Sequence, residues 1–492
     1  MKHYDAVIIG AGLSGLCAAI DLKKAGLNNI KLYEKADDVG GTWRDNHYPG
    51  VACDVPSHLY SYSFEPNPNW SKWYGTGEEI LDYIRHCARK YEIIDHISFN
   101  TKVTKAVWEG DHWKVITSSG EVVTSRFLIA GMGGLHTPNT PNFSGMKKFG
   151  GPMFHTADWQ HDVDLKGKRV AVVGTGATAV QCIPEIAKEA ESLYVFQRSP
   201  VWVGPKNDPF YSEEEKADFN NDPVALKKHR WDLWKSWETT GLDMVKAGSA
   251  INMTAERRAR DLIKRSLVNP ELAKKLTPDY NFTCKRPTFS NNYYSTFELD
   301  NVHLVTSGVD NVTETGLTSA GQNFDVDVII FATGFKPFNI ALEIDLIGLK
   351  GMSLDETWKT HINSYQSIMV RDLPNFFMML GPNSGGLTST LQMIEQQSKY
   401  ILKAINKMDS ENINYINPKQ KLIDQFTNRI QIATAKTTHN KGCTSWWSDG
   451  QGYNHSVWPE SSITYRMMMR DFNIDHFDCA PFVENMSVGG EK

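Results

Sequence analysis

The sequence predicts an α/β protein with two Rossmann-like domains and a helical insert. A buried strand, a glycine turn and an amphipathic helix can be read in YDAVIIGAGLSGLCAAIDLKKAG (4–26), followed by a second strand in IKLYEKA (30–36). The same pattern returns in KRVAVVGTGATAVQCIPEIAKEA (168–190) and SLYVFQRSP (192–200). Between 206 and 284, charged stretches carry apolar residues at helical spacing.

Length and composition indicate a globular protein with more than one lobe. The 492 residues are many for one core, and 41% hydrophobic and 22% charged residues are ordinary proportions. The net charge of −5 gives no reason to expect a nucleic-acid partner. Because the N-terminal strand begins near Tyr4 and no run of about 18 apolar residues occurs, we expect neither a secretion signal nor a transmembrane segment.

Cysteine usage suggests a reducing environment. The seven cysteines are Cys17, Cys53, Cys87, Cys182, Cys284, Cys443 and Cys479. Their odd number, their scatter and the absence of a CxxC pair argue against a disulfide framework, a zinc site and a dithiol redox centre. We therefore expect a cytoplasmic protein without a metal site.

The first glycine turn predicts a dinucleotide site. Gly10 permits the tight turn, Gly12 lets the backbone approach a pyrophosphate, and Gly15 lets the helix pack on the strand. The helix N-terminus offers free N–H groups to the anion. Glu34 follows Gly10 by 24 positions, near the offset of a carboxylate that binds ribose hydroxyls. GxGxxG alone is a weak signal, but here strand, helix and acid are in register.

The second glycine turn carries the opposite charge at the end of its strand. Gly174, Gly176 and Ala179 form GxGxxA, and Arg198 follows Gly174 by the same 24 positions. A carboxylate would repel a ribose 2′-phosphate, whereas a guanidinium pairs with it bidentately. The first site therefore predicts FAD and the second NADPH. The alternative is that Arg198 is a surface arginine by chance.

An aromatic segment, VGGTWRDNHYPGVACDVPSHLYSYSF (39–64), follows the first unit. Gly40 and Gly41 form a turn able to approach a cofactor. Asp54 is a lone acid in this apolar run, where burial is costly without a cationic partner. The alternative is a core segment with a satisfied aspartate. Flat apolar surface for a ring system comes from Trp43, Tyr48, Tyr60 and Tyr62.

The run GGTW…YPG…CD, with the two Rossmann motifs, resembles the type I Baeyer–Villiger monooxygenases, ketone-oxygenating relatives of the flavin-containing monooxygenases. Their diagnostic FxGxxxHxxxW, followed by Pro or Asp, corresponds to FGGPMFHTADWQ, in which Gln160 departs from the pattern. Amine- and sulfide-oxygenating relatives usually carry Tyr or Phe at the position of Trp159, so Trp159 favours ketone oxidation. The resemblance extends to KRP (285–287), FATGF (331–335), LPNFFMMLGPNS (373–384) and SWW (445–447).

The resemblance implies an FAD domain split around an NADPH domain. The expected boundaries are 1–145 and 331–492 for the FAD domain, 168–205 and 285–330 for the NADPH domain, 146–167 for a linker with the diagnostic motif, and 206–284 for the helical insert. It also implies that NADPH reduces the flavin, that O₂ adds at flavin C4a, and that the peroxyflavin attacks a small-molecule ketone. The product would be an ester or a lactone.

The resemblance also assigns residues to roles. Arg286 is expected to be the active-site cation, held by Asp54, and Lys285 is expected to join Arg198 on the 2′-phosphate; the alternative is that KRP is only a charged loop. For FAD we expect Gly10, Gly12, Ser14, Gly15, Glu34, Gly41, Thr42, Trp43, Asp54, Tyr60, Val103 and Thr390. For NADPH we expect Gly174, Thr175, Gly176, Ala177, Thr178, Ala179, Arg198, Ser199, Lys285, Arg286 and Trp446.

Several further aromatic residues fit a structural role. His155 and Trp159 are expected between the two nucleotide lobes, as structural rather than reactive residues. Trp446 matches a family residue that reaches the nicotinamide nucleotide, although it equally fits a core position. The helical spacing of Trp231, Trp234 and Trp237 predicts packing.

Other functions remain open at this point. An N- or S-oxygenating relative is the main alternative; a reductase would need a cysteine pair, and a nucleotide-sensing protein would have lost Arg286 and Asp54. Substrate identity and regiochemistry depend on loops around 206–284, 383–392 and 440–458, and the oligomeric state is not predicted. Basic patches of the insert suit either a solvated helical face, which we favour, or a membrane surface.

Overall fold

The computed structural model describes residues 1–337, 343–385, 389–439 and 441–481. Parts of the loops at 383–392 and 440–458, and the end of the 331–492 segment, lie outside the described residues. Within these ranges no helix combines the length and the apolar character needed to cross a bilayer.

The first lobe begins with the N-terminal glycine-turn unit. Its central strand is completely buried at Val7 and Ile8, which explains the continuous apolar run in the sequence. In chain order the elements are β1 (Lys2–Ile9), α1 (Leu13–Lys24), β2 (Ile30–Tyr33), α2 (Thr42–Asp45), α3 (Gly77–Lys90), β3 (Ile97–Ser98), β4 (Val103–Trp108), β5 (Trp113–Thr117) and β6 (Val122–Ala130).

The second lobe repeats the unit and continues into the insert. Its first part contains β7 (Met153–His155), β8 (Arg169–Val173), α4 (Ala177–Ile186), β9 (Ser192–Phe196) and β10 (Val203–Gly204). The insert consists of α5 (Glu213–Asn221), α6 (Pro223–Met244), α7 (Ala250–Ser266) and α8 (Pro270–Leu276). The predicted helical insert is thus present between the two parts of this lobe.

The chain then completes both lobes. The second lobe receives β11 (Thr288–Phe289), α9 (Tyr293–Thr296), β12 (Val302–Val305), β13 (Asn311–Val312), β14 (Gly316–Ser319), β15 (Gln322–Asp325) and β16 (Val328–Phe331). The first lobe receives β17 (Asp345–Ile347), α10 (Leu354–Thr357), β18 (Phe376–Met378), α11 (Thr390–Ser410), β19 (Ile413–Pro418), α12 (Gln420–Thr434), α13 (Ser462–Met468) and β20 (Phe477–Pro481).

Two separate sheets confirm the predicted α/β class. Among the described residues the larger sheet has the order β17-β4-β5-β6-β1-β2-β3, with β18 paired to β6. The other sheet has the order β12-β9-β8-β16-β7. In both sheets the strand before the glycine turn is flanked by two parallel strands, so each turn opens at the carboxyl ends of parallel strands.

The sheets also locate two stretches near the expected domain boundaries. β7 lies in the segment expected as a linker, yet it pairs with β16 and forms an edge strand of the second sheet. β16 ends at Phe331 and pairs with β8, so this strand runs across the expected boundary between 330 and 331.

The tryptophans predicted to pack by their helical spacing lie on α6, and one of them packs at the surface. Trp231 is 56% exposed. Its ring lies 4.6 Å from that of Trp234, whose Nε1 donates to Ser462 Oγ at 3.2 Å. Helical spacing identified one face of α6 but not its exposure, because that depends on which elements pack against it.

A disulfide joins Cys284 to Cys443, which corrects the inference drawn from cysteine usage. The two residues are 159 positions apart, and they meet because the segment before Cys284 packs against the C-terminal segment. Thr283 bonds to Thr438, and Asn281 Nδ2 donates to the Lys441 carbonyl at 3.1 Å. The spacing of cysteines along the sequence cannot reveal a pair this far apart. Cysteine usage therefore no longer supports the expectation of a reducing environment.

Candidate active site between the two lobes

The first glycine turn is shaped by close backbone contacts. Gly10 has φ +95°, and a Cβ there would lie 2.9 Å from the Gly131 carbonyl oxygen. A Cβ on Gly15 would lie 1.9 Å from the Gly10 oxygen, so the start of α1 rests directly on the turn. Gly12 instead faces Gly41, with its Cβ position 3.6 Å from the Gly41 Cα. Gly10 and Gly15 are therefore required by the fold, and Gly12 leaves the approach open.

A cleft opens in front of this turn. It is lined by most residues expected at FAD: Gly10, Gly12, Ser14, Glu34, Gly41, Thr42, Trp43, Tyr60, Val103 and Thr390. Gly15 supports the turn from behind, and Asp54 lies in the neighbouring site described below. Trp43 Nε1 donates to Tyr60 Oη at 3.1 Å, which fixes two aromatic rings of the wall edge to face.

Glu34 is buried at the end of β2 and is already part of the turn. Its Oε2 accepts from the Ala11 N–H at 2.8 Å, and Oε1 accepts from the Ala36 N–H at 3.0 Å. Arg44 Nη1 lies 3.0 Å from Oε1. Burial works against the charge of Arg44, but Glu34 and Asp45 outweigh it and raise the pKa of the guanidinium. A carboxylate offers about four acceptor positions, so Glu34 keeps capacity for ribose hydroxyls.

The second glycine turn has the same design. Gly174 has φ +116°, and a Cβ there would lie 2.4 Å from the Ala332 oxygen. A Cβ on Gly176 would meet no atom of the described residues within 4 Å. In the part of the chain that the structure describes, no side chain caps α4, which begins at Ala177, so its first N–H groups face the open side of the turn. α1 is likewise without a side-chain cap. Both helix starts are thus anion sites by geometry and charge.

The predicted cations of the second site come together beside this turn. Lys285 Nζ donates to Ser199 Oγ at 2.9 Å, and Thr175 Oγ1 donates to the Ser199 carbonyl at 3.0 Å. Arg198 is exposed next to them. Burial and the positive charge of Arg198 lower the pKa of Lys285. Two cations that repel each other here indicate a place for an anion.

Asp54 and Arg286 form an ion pair, although 232 positions separate them. Arg286 Nη2 lies 3.4 Å from Asp54 Oδ2; the Asp54 side chain is 9% exposed and that of Arg286 is 49% exposed. The buried acid therefore holds an arginine whose side chain is about half exposed. Because Arg286 directly follows Lys285, this pair adjoins the cations of the second turn.

Hydrogen bonds hold the Asp54 segment against α4. Tyr48 Oη donates to Gln181 Oε1 at 2.7 Å, and Gln181 Nε2 donates to the Ala52 carbonyl at 2.9 Å. The first lobe thus contacts the helix that begins at the second glycine turn. These hydrogen bonds keep the segment that carries Asp54 beside the second nucleotide site.

The remaining predicted residues are two buried ones, His155 and Trp159, and the partly exposed Trp446. His155 is buried at the end of β7, and its Nδ1 accepts from the Ala157 N–H at 3.1 Å. Trp159 is buried, with its ring 5.3 Å from that of Phe154. Trp446 is 41% exposed, and it follows Cys443, whose disulfide ties this loop to Cys284.

Sequence reasoning missed several residues of the cleft. Arg44 is the most important, because it pairs with Glu34; its position three residues after Gly41 in GGTWR was the available signal. Lys102, His136 and Glu343 also line the cleft, and Lys102 Nζ lies 2.6 Å from Glu343 Oε2. No local pattern marked these three, because they meet only through the fold.

Comparisons with known proteins agree with this geometry. A family profile described as "Flavin-binding monooxygenase-like" matches residues 4–209. A Baeyer–Villiger monooxygenase of Streptomyces coelicolor is 35% identical over 97% of this chain and 92% of its own length. One of Pseudomonas aeruginosa is 36% identical over 96% of this chain and 90% of its own length.

Solved structures show the same similarity. An oxidized steroid monooxygenase bound to NADP superposes with a TM-score of 0.86 at 30% identity, covering 98% of this chain and 100% of that one. A closed cyclohexanone monooxygenase superposes with a TM-score of 0.89 at 28% identity, over 98% of this chain and 100% of that one.

Proposed function

The chain belongs to the Baeyer–Villiger monooxygenases, and from this premise we propose that it uses FAD and NADPH to insert one oxygen atom of O₂ into a ketone. The overall reaction consumes the ketone, O₂, NADPH and a proton and yields an ester or lactone, NADP⁺ and water. The relatives named Baeyer–Villiger monooxygenase and the steroid monooxygenase structure with bound NADP support this proposal.

The residues of the first cleft fit FAD. Gly12 and Gly41 line the cleft without side chains and would let a pyrophosphate approach, the uncapped start of α1 would stabilise its charge, and Glu34 has acceptor positions left for ribose hydroxyls. When bound, the flavin supplies the redox and oxygen-activating chemistry that amino-acid side chains lack. Trp43, Tyr60 and Thr390 would bound the cleft on the side away from the turn.

The residues of the second turn fit NADPH. Gly176 leaves its approach free of atoms within 4 Å, and Lys285 with Arg198 provides two cations for the 2′-phosphate. We propose that residues 168–205 and 285–330 bind this nucleotide, together with β7. Residues 1–145 and the part of the chain after β16 would form the FAD domain.

Arg286 is the proposed catalytic residue. The oxygen-transfer step places negative charge on oxygen atoms, and a fixed cation stabilises that charge by about 3–4 kcal/mol when it is in position beforehand. Arginine suits this role because its planar guanidinium carries a fixed positive charge and only hydrogen-bond donors. Asp54 holds the guanidinium, with Arg286 Nη2 3.4 Å from Asp54 Oδ2, and Arg286 directly follows Lys285 of the nucleotide site. This ion pair is the observation that carries the proposal.

Substrate class and mechanism are tested together by product identity. Holoenzyme is given NADPH, O₂ and a panel of ketones, sulfides and amines, and the products are identified by mass spectrometry. We expect esters or lactones from ketones. Sulfoxides or N-oxides alone would show that the chain is a heteroatom oxygenase instead.

The Arg286→Ala variant tests the assigned cation. We expect the rate of flavin reduction by NADPH, measured without O₂, to change by less than about twofold. Ester formation should fall by about 10²- to 10³-fold, which corresponds to 3–4 kcal/mol. Arg258→Ala, on the exposed face of α7, is the control and should leave both rates unchanged. Ester formation at the wild-type rate would remove Arg286 from the mechanism.

A further inference from the structure

A second cation reaches the buried carboxylate of Asp54. Lys206 Nζ lies 3.9 Å from Asp54 Oδ1, whereas Arg286 faces the other oxygen, Oδ2. Oδ1 is buried and accepts no hydrogen bond from the residues that the structure describes. Each oxygen of this carboxylate therefore has its own cation.

Lys206 is the fixed partner of the two cations. Its side chain is 13% exposed, compared with 49% for Arg286. Its Nζ donates to the Cys53 carbonyl at 3.3 Å and lies 5.0 Å from the centre of the Tyr74 ring. Asn291 binds the Lys206 backbone twice, accepting from its N–H at 3.0 Å and donating to its carbonyl at 2.8 Å.

The segment that follows Lys206 is anchored on the first lobe. Asp208 lies 3.0 Å from Lys72 Nζ and accepts from the Tyr74 N–H at 3.0 Å, and the Trp73 N–H donates to the Pro209 carbonyl at 2.9 Å. Lys206 thus stands where the chain leaves β10 for the insert. Both lobes hold it in place beside Asp54.

We propose that Lys206 is a positioning residue that keeps the charge of Asp54 balanced so that Arg286 is free to move from Oδ2 to the reacting oxygen atoms. The inference rests on the proposed function, since it assigns Arg286 to that reaction. A buried carboxylate that loses its only cation is strongly destabilised. With Lys206 in place, departure of Arg286 leaves the carboxylate paired. Without Lys206, Asp54 retains Arg286.

The first test compares Lys206→Met with the wild type as holoenzyme. We expect flavin reduction by NADPH, measured without O₂, to stay within about twofold, because Lys206 does not face the nucleotide cations. The ester formed per NADPH consumed should fall at least about fivefold, with the missing oxygen recovered as hydrogen peroxide. Lys206→Arg should restore most of this yield, since it keeps the charge. Unchanged yield in Lys206→Met, or no recovery in Lys206→Arg, would overturn the proposal.

Lys72→Met is the matched control. It removes a lysine ion pair from the same junction, with Asp208, and leaves Asp54 untouched. The hydrogen bonds from the Tyr74 and Trp73 N–H groups still anchor the segment in this variant, so we expect its ester yield per NADPH to stay within about twofold of the wild type. A loss as large as that of Lys206→Met would assign the effect to the junction and overturn the proposal.

A double-mutant cycle asks whether Lys206 acts through Asp54. In the Asp54→Asn background, Lys206→Met should change the yield by less than about twofold. The Tm of the holoenzyme gives a readout that needs no product: Lys206→Met should lower it by several degrees when Asp54 is present, and by clearly less in the Asp54→Asn background, where only the contacts with Cys53 and Tyr74 are lost. Equal Tm shifts in both backgrounds would overturn the inference. The proposed function is decided by the products of the wild-type enzyme alone. A failure of the Lys206 inference can therefore be distinguished from a failure of the proposed function.

Discussion

Arg198 is the residue whose charge distinguishes the second nucleotide site from the first. It is exposed beside Lys285 and Ser199, and it occupies the position that Glu34 has after the first turn. Its exposure leaves the guanidinium available to a phosphate, whereas Glu34 is buried and already bonded to its own turn. We therefore expect one residue at the end of each strand to set which ribose the site accepts.

Replacing Arg198 should reduce discrimination between the two nicotinamide nucleotides. We expect Arg198→Ala to lower kcat/KM for NADPH by about 10- to 100-fold, because a hydrogen bond to a charged group contributes about 1.5–3 kcal/mol. kcat/KM for NADH should change by less than about twofold. Steady-state kinetics with both nucleotides measure this, with the exposed Lys188→Ala as control. Equal losses for NADPH and NADH would mean that Arg198 does not contact the 2′-phosphate.

Lys285 should make NADPH use depend on pH. Burial and Arg198 lower its pKa below the ordinary 10.5, so as pH rises it loses its proton earlier than a free lysine. The 2′-phosphate is already ionised at neutral pH, because its second pKa is about 6. The KM for NADPH should therefore rise with alkaline pH while that for NADH stays flat.

The measurement is kcat/KM for both nucleotides between pH 7 and 10. Lys285→Arg should remove the difference in slope, since arginine keeps its charge throughout this range. Parallel slopes for NADPH and NADH in the wild-type enzyme would contradict the assignment of Lys285.

At the scale of elements, the two glycines of the second turn should respond differently to a methyl group. The Cβ of Gly174→Ala would lie 2.4 Å from Ala332 O at φ +116°, so this variant should fail to fold or lose much of its Tm. The Cβ of Gly176→Ala would contact no atom of the described residues, so the Tm and flavin content of this variant should equal those of the wild type. Its KM for NADPH should rise by about tenfold or more, because losing a hydrogen bond from the turn to the pyrophosphate costs about 1.5 kcal/mol. An unchanged KM would mean that no pyrophosphate approaches Gly176.

The elements that sequence predicted best are those whose signals are local. Strand, turn and helix around Gly10 and Gly174, with Glu34 and Arg198 at the strand ends, follow from adjacent residues and fixed offsets. Arg44, Lys206 and the neighbours of Trp231 depend on packing between distant segments. The Asp54–Arg286 contact was expected only from the family resemblance, since nothing near either residue in the chain indicates the other.

At the scale of the whole molecule, the disulfide ties the Arg286 segment to the C-terminal loop. Reduction should lower the Tm of the holoenzyme, since cross-linking residues 159 apart stabilises by up to about 5 kcal/mol in the chain-entropy account. The KM for NADPH should rise as well, because Lys285 follows Cys284 directly and Trp446 is close after Cys443. Thermal unfolding and kinetics with and without a dithiol reductant measure both effects.

The Cys284→Ser/Cys443→Ser double variant is the control for reduction. It should behave as the reduced wild type does and show no response to the reductant. A response of the same size in this variant would assign the effect to another group, such as the exposed Cys479.

The first cleft is assembled from segments that lie far apart in the sequence. Gly10 and Ile394 both line it, and β18 pairs with β6 only after the whole second lobe has been inserted between them. During translation the ribosome therefore releases an N-terminal Rossmann unit whose sheet and cofactor cavity are unfinished. We therefore expect flavin to bind only after α11 has been made, and chains truncated before α11 should bind no flavin.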